Sequence, residues 1–248
     1  MIIVGDIGNT DTKIFLINNQ NKIIKRVKLN TKKINSIVLK KSMSNLNLKN
    51  YFINKCLFCS VVPQSFKVIK FFFNKSYKIK CYELKKLKLN QLIKIKVNYK
   101  QIGSDRLANA ISVINNKDNF IILDFGTATT FDVLIKNTYH GGVIAPGVNL
   151  SLNTLTDRAT LIPNINLKKT NKVIGLNTIS AVRAGFFWGY AGLIDNIVYL
   201  IKKETKKSFK IIITGGFSNL FKSSINTKVT LNKDITVKGL IKATALIK

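Results

Sequence analysis

Two short turns of one design constrain this chain more than any other feature. Asp6-Ile7-Gly8-Asn9-Thr10 follows the apolar run Met1 to Val4, and Asp124-Phe125-Gly126-Thr127-Ala128-Thr129 follows Phe120 to Leu123. Each leads into a second β-like run. A carboxylate, a glycine and then hydroxyl or amide side chains at a strand-to-strand turn suit polyphosphate and its metal. The glycine lets backbone N–H groups approach phosphate oxygens, the hydroxyls donate hydrogen bonds, and the aspartate holds a cation or its water. One such turn is ordinary hairpin punctuation. Two in a chain of 248 residues suggest a duplicated nucleotide-binding half.

The rest of the pattern fits a duplication. Strands are expected at 2–7, 12–18 and 22–29, then a mixed stretch, a buried strand over 55–62, a helix over 64–74 and a short strand over 78–83. Gly103-Ser104-Asp105-Arg106 opens a helix with Leu107, Ala110, Ile111 and Ile114 on one face. The second half repeats the opening with strands at 119–125, 129–136 and 139–145. A helix over 148–156 follows, and Thr178 is the expected N-cap of a long helix to about Lys203. A strand over 210–213, the turn Thr214-Gly215-Gly216, a short helix over 217–221 and a final helix over 238–248 complete the chain. No linker separates the halves, taken as 1–112 and 113–248, and a cleft is expected between them.

Composition narrows the function classes. The net charge of +30 invites a nucleic-acid reading, but arginine occurs only at Arg26, Arg106, Arg158 and Arg183. The positive charge is lysine scattered along the chain, accompanied by much Asn and Ile, as codon drift would produce; no specific nucleic-acid partner is expected. The charge-free apolar stretch Ala184 to Ile194 is too short to cross a bilayer, which takes about 20 residues, and the first turn follows Met1 too closely for a signal peptide. The expectation is a cytoplasmic enzyme with no membrane partner. Cys56-Leu-Phe-Cys59 has a zinc-like spacing, and a set with Cys81 and His140 is arithmetically possible, but residues three apart on a strand point to opposite faces, so buried reduced thiols are the better reading. Ala181, Gly185 and Gly189 form a row of small residues on the long helix, suited equally to packing against another helix of the chain or to a homodimer.

Carboxylates are scarce in this chain, with eleven in all, so those kept at turns and helix starts carry weight. Asp6 and Asp124 end equivalent strands. Asp105 sits at a helix start beside Arg106. It can be a plain helix cap, or the base that accepts a hydroxyl proton while the arginine orients an anionic substrate.

Taken together, D-x-G-N-T-x-x-K (Asp6 to Lys13), S-V-V-P (Ser60 to Pro63), G-x-D-R (Gly103 to Arg106), D-F-G-T-A-T-T (Asp124 to Thr130), G-G-x-I-x-P-G (Gly141 to Gly147), G-x-N-T (Gly175 to Thr178) and T-G-G (Thr214 to Gly216) resemble the type III pantothenate kinases along essentially the whole chain. The resemblance implies an α/β fold of two ribonuclease-H-like, actin-like ATPase halves with ATP in the cleft. It implies ATP-dependent phosphorylation of pantothenate to 4'-phosphopantothenate, the first step of coenzyme A biosynthesis.

Residue by residue, it implies that Asp6, Ile7, Gly8, Asn9, Thr10, Asp11, Thr12 and Lys13 cradle ATP phosphates, with Asp6 towards Mg2+. Gly103, Ser104, Asp105 and Arg106 would hold pantothenate, with Asp105 as general base. Asp124 would bind a monovalent cation, K+ or NH4+; Thr127, Gly215 and Gly216 would contact ATP; Thr178 would touch pantothenate. Family members also carry a substrate-packing tyrosine upstream of G-x-D-R. Here that position is Lys96, so either Tyr99 takes its place or the contact is lost. A homodimer is implied as well. The competing reading is a non-catalytic, transcription-associated regulatory member of the same family, which would be expected to have lost Asp6, Asp105 or Asp124.

Overall fold

The structure, a computed structural model, describes residues 1–247, the side chain of Lys49 excepted. The chain forms two compact units: residues 1–114, 137–139 and 234–248 in one, residues 115–136 and 140–233 in the other.

In the first unit β1 (Ile2–Ile7), β2 (Asp11–Ile17) and β3 (Ile23–Asn30) form an antiparallel meander. Helix α1 (Ser36–Ser44) follows, started by Asn35, whose side chain accepts hydrogen bonds from the N–H groups of Ile37 and Val38. Then β4 (Lys55–Ser60) returns parallel to β1, α2 (Pro63–Tyr77) crosses over, and β5 (Cys81–Glu83) lies parallel to β4. The sheet order is β3-β2-β1-β4-β5. Alternate residues of β1 point to opposite faces. Ile3 and Ile7 join Leu39 and Met43 of α1 and Ile69, Phe72 and Phe73 of α2 in one buried cluster. Each such side chain contributes about 1.5–3 kcal/mol when fully buried.

Short β6 (Lys94–Ile95) precedes α3 (Ser104–Val113).

The second unit repeats this plan. β7 (Asn119–Phe125) and β8 (Ala128–Ile135) form a hairpin, and β9 (Thr138–Pro146) continues the meander. The first residues of β9, Thr138 and Tyr139, group with the first unit and pair with β6. After α4 (Val148–Arg158) and α5 (Thr178–Thr205), β10 (Lys210–Gly215) lies parallel to β7. Helix α6 (Ser218–Phe221) leads to β11 (Val229–Leu231), parallel to β10. The sheet order is β11-β10-β7-β8-β9-β6, and its first five strands repeat the first sheet's order. The core of this unit combines Ile121, Leu123 and Phe125 with Phe187, Ile194 and Val198 of α5.

The last helix, α7 (Ile235–Ala243), belongs to the first unit, where it packs on α3 and on β1.

Several sequence expectations shift. The final helix starts at Ile235, ahead of Lys238, and α1 and β11 are elements beyond those expected. The cap of α5 is Asn177, not Thr178: its side chain accepts from the N–H of Ser180, whose hydroxyl answers the N–H of Asn177. Helix α5 is also long and apolar enough to cross a membrane by length and composition, yet Ala184, Phe187, Ala191 and Ile194 are buried in its unit's core. Its small-residue row does not pack against another helix of the chain: nothing lies within 4 Å of where side chains on Gly185 and Gly189 would stand.

Candidate active site

The first turn sits at the exit of β1, the middle strand of its sheet. The N–H of Gly8 donates to the carbonyl of Asp11 over 3.0 Å and closes it. Asn9, Thr10 and Lys13 are exposed. Two neighbours have structural duties: Asp11 pairs with Lys28 at 2.8 Å, and the buried Thr12 hydroxyl shares a 2.9 Å hydrogen bond with that of Thr31.

Asp6 is directed by strand alternation to the sheet face opposite Ile3 and Ile7. Lys13 is its partner across the hairpin and Cys59 its partner on β4. The Cys59 thiol donates to the Asp6 carboxylate at 3.4 Å. Burial pushes the Asp6 carboxyl up to about 6, and the negative charge of Asp105 adds to the rise, while Lys13 and the thiol oppose it. Burial likewise raises the Cys59 thiol, helped by Asp6 and Asp105, so this cysteine stays protonated. Two carboxylates therefore face each other electrostatically within one unit. A cation beside Asp6 would offset both causes of its raised pKa, so the residue fits a divalent ion.

Asp105 stands in the first turn of α3. No side chain caps this helix at Gly103; Asp105 itself accepts from the N–H of Arg106 at 2.8 Å. A β-carbon on Gly103 would overlap the Asp105 carboxylate, which explains the glycine two residues before it. Ser104 is buried and donates to Glu83 at 2.6 Å. Tyr99 is half-buried, and its hydroxyl donates to the carbonyl of Lys85 at 2.8 Å. Its ring forms part of the wall of a pocket of about 530 Å³, with Leu87, Leu89, Ile93 and Lys94. Lys96 is exposed.

The second unit gathers the other predicted residues. Asp124 leaves β7 opposite Thr130 on β8 and beside Thr214 on β10. Gly215 has a φ of +87°, a left-handed conformation that favours glycine, and a side chain there would come within 2.6 Å of the Asp124 carboxylate. The N–H of Gly216 donates to the carbonyl of Phe125 at 3.0 Å. Gly147, ahead of α4, approaches the Thr127 carbonyl so closely that a β-carbon would overlap it. Asp124, Thr127, Gly215 and Gly216 are thus brought together at one end of one sheet. Thr178 is exposed at the start of α5.

Residues 2–199 match the family model of type III pantothenate kinase. The chain belongs to that family. A type III pantothenate kinase of Pelagibacter ubique (strain HTCC1062) is 82% identical over 248 residues, covering 100% of both chains. Another, from Sulfurihydrogenibium sp. (strain YO3AOP1), is 35% identical and covers 97% of this chain and 98% of its own.

Among solved structures, a ROK family glucokinase from Streptomyces griseus, in complex with glucose and AMPPNP, is similar with a TM-score of 0.57 at 12% identity, over 99% of this chain and 98% of its own. A Campylobacter jejuni protein, proposed to be a Baf family transcriptional activator, has a TM-score of 0.59 at 18% identity, over 98% and 97%. Such low identities speak for the fold alone, that of the actin-like ATPases and sugar kinases, and give the regulatory reading no support.

For a type III pantothenate kinase, one residue of interest escaped sequence reasoning. Glu83 lies outside every motif, yet it holds Ser104 inside G-x-D-R. No local signal reveals it, because the contact joins residues 21 apart in sequence.

Proposed function

We propose that this protein transfers the γ-phosphoryl group of ATP to the terminal hydroxyl of pantothenate, giving 4'-phosphopantothenate and ADP, the first step of coenzyme A biosynthesis. The observation that carries the mechanism is the electrostatic facing of Asp6 and Asp105 within one unit, at the exit of β1 and the start of α3. Phosphoryl transfer asks a protein mainly for alignment and charge neutralisation. Asp105 accepts the hydroxyl proton as the substrate oxygen forms its bond to the γ-phosphorus and the bond to the ADP oxygen breaks. Arg106 orients the pantothenate carboxylate, and Gly103, Ser104, Tyr99 and Thr178 complete the substrate side.

Residues 6–13 supply N–H, hydroxyl and ammonium donors to the phosphates, with Lys13 adding positive charge. Asp6 would hold Mg2+, whose charge would help to neutralise the phosphates. Thr127, Gly215 and Gly216 serve the nucleotide. Asp124, with hydroxyl groups beside it on both neighbouring strands, suits K+ or NH4+, whose charge would add to that neutralisation. On this reading residues 1–112 carry the first phosphate turn and residues 113–248 the second phosphate turn and the adenosine-side Thr214-Gly215-Gly216 turn, in a cytoplasmic enzyme.

Purified protein with ATP, Mg2+ and K+ is expected to convert pantothenate to its 4'-phosphate, with Na+ a poor substitute for K+. Folded protein that turns over no pantothenate under these conditions would sink the reading. A homodimer through α5 is part of the same proposal. It is supported by the open row Ala181, Gly185, Gly189 and Gly192 and by exposed Tyr199 and Leu200 on the same helix. Light scattering that gives the mass of one chain at assay concentration would remove it.

A further inference from the structure

The segment that delivers Asp105 is tied at several points to a short stretch that no motif contains. Glu83 ends β5, where it pairs with Phe58 of β4, so its backbone is fixed by the sheet. Its carboxylate accepts from the Ser104 hydroxyl at 2.6 Å. Two residues on, the Lys85 ammonium donates to the carbonyls of Lys100 at 3.1 Å and Ile102 at 2.9 Å. The same ammonium lies 5.1 Å from the centre of the Tyr99 ring, while the Tyr99 hydroxyl returns a hydrogen bond to the Lys85 carbonyl. Residues 99–104 are thus bound to residues 83–85 by side chains at both ends.

These contacts answer a local deficiency. Helix α3 has no side-chain cap, and Asp105 spends one oxygen on the N–H of its own neighbour, Arg106. Within the helix start the Asp105 carboxylate is held by the N–H of Arg106, and the ties from residues 83–85 fix the backbone that carries it. We infer that Glu83 and Lys85 are positioning residues for the phosphoryl-transfer step: Glu83 sets the helix start through Ser104, and Lys85 sets the carbonyls that lead into Gly103. The charges suit this task. A carboxylate accepts a hydroxyl proton in a strong, short bond, and an ammonium with several donors can hold two carbonyls at once. This rests on the reading of Asp105 as general base.

Steady-state kinetics and amide hydrogen exchange on the full chain test it. Glu83→Ala is expected to lower kcat by about 10- to 100-fold, the scale of a misplaced reacting group, while the KM for ATP stays at the wild-type value. Glu83→Gln keeps an acceptor oxygen for Ser104 and is expected to restore most of the rate. Ser104→Ala combined with Glu83→Ala should cost no more than the worse single change, since both break one contact. Lys85→Met should lower kcat as well. In exchange measurements, amides of residues 104–107 should open faster in Glu83→Ala and not in Glu83→Gln.

A wild-type kcat in Glu83→Ala, or equal losses in the Ala and Gln variants with unchanged exchange, would overturn the inference. Wild-type protein without turnover would instead refute the kinase reading, and the exchange data would still decide whether Glu83 holds the helix start.

Discussion

The two aspartate turns share a backbone plan and differ in what surrounds them. Each leaves an inner strand of a meander-and-crossover sheet, with an antiparallel neighbour on one side and a parallel one on the other. Asp6, however, lies between an ammonium and a thiol and within electrostatic reach of a second carboxylate. Asp124 lies between two threonines, beside a glycine in a left-handed conformation. The first turn is also one residue longer: Ile7 pairs with Thr12, whereas Phe125 pairs with Thr129. A duplicated scaffold has thus been given two chemistries by its neighbours rather than by its own geometry. Charged groups accumulate around the first turn, and small or hydroxylated groups around the second.

Removing the base tests that division most severely. Asp105→Asn keeps the side-chain shape and an acceptor oxygen for the Arg106 N–H, but it cannot take the hydroxyl proton. Turnover is expected to fall by roughly 10²–10⁴-fold with ATP affinity near the wild-type value, measured by initial rates and by calorimetric nucleotide titration. An equal loss of nucleotide affinity would break the comparison, because Asp105 would then serve the nucleotide as much as the transfer.

The raised Asp6 carboxyl gives the next largest effect, in the metal-free protein. Its pKa is about 6 in the fold against 3.8 for the ordinary group, so the native state holds the proton more tightly. The stability it provides is complete below the unfolded value and is lost as pH rises from about 4 through about 6, on the order of 3 kcal/mol. Chemical denaturation across that window should show the decline, and Asp6→Asn should flatten it. A wild-type curve with no slope there would mean that Asp6 is better solvated than its surroundings indicate.

What the sequence disclosed and what it hid divide along the range of the interactions. The two hairpins were legible because strand alternation and Asp-x-Gly turns are local, whereas the parallel pairings that complete each sheet are not. Asp105 was legible as a residue but not as a neighbour of Asp6, since β1 and α3 lie far apart in the chain. Glu83 was hidden for the same reason. Helix α1 escaped because its apolar face is thin, only Leu39 and Met43 being buried among lysines and serines, although Asn35 offered a cap. Assigning the start of α5 to Thr178 missed by one position, because Asn and Thr are both good caps and only Ser180 answering Asn177 separates them. The fate of the small-residue row needed the structure, as its spacing is the same whether it faces a helix or open space.

The smallest expected effect is also the sharpest contrast between the turns. Thr12 and Thr129 are equivalent: each is the first cross-strand partner beyond its aspartate turn, and each is fully buried. The Thr12 hydroxyl bonds with Thr31, whereas that of Thr129 has no hydrogen-bond partner among the described residues. Replacement by valine keeps the shape and removes the hydroxyl. Thr12→Val orphans the Thr31 hydroxyl and is expected to cost about 1–2 kcal/mol in denaturant unfolding. Thr129→Val relieves an unpaired buried group and is expected to be neutral or slightly stabilising. If the second change costs as much as the first, the Thr129 hydroxyl has a partner of its own, and the second turn is more polar than its protein neighbours alone make it.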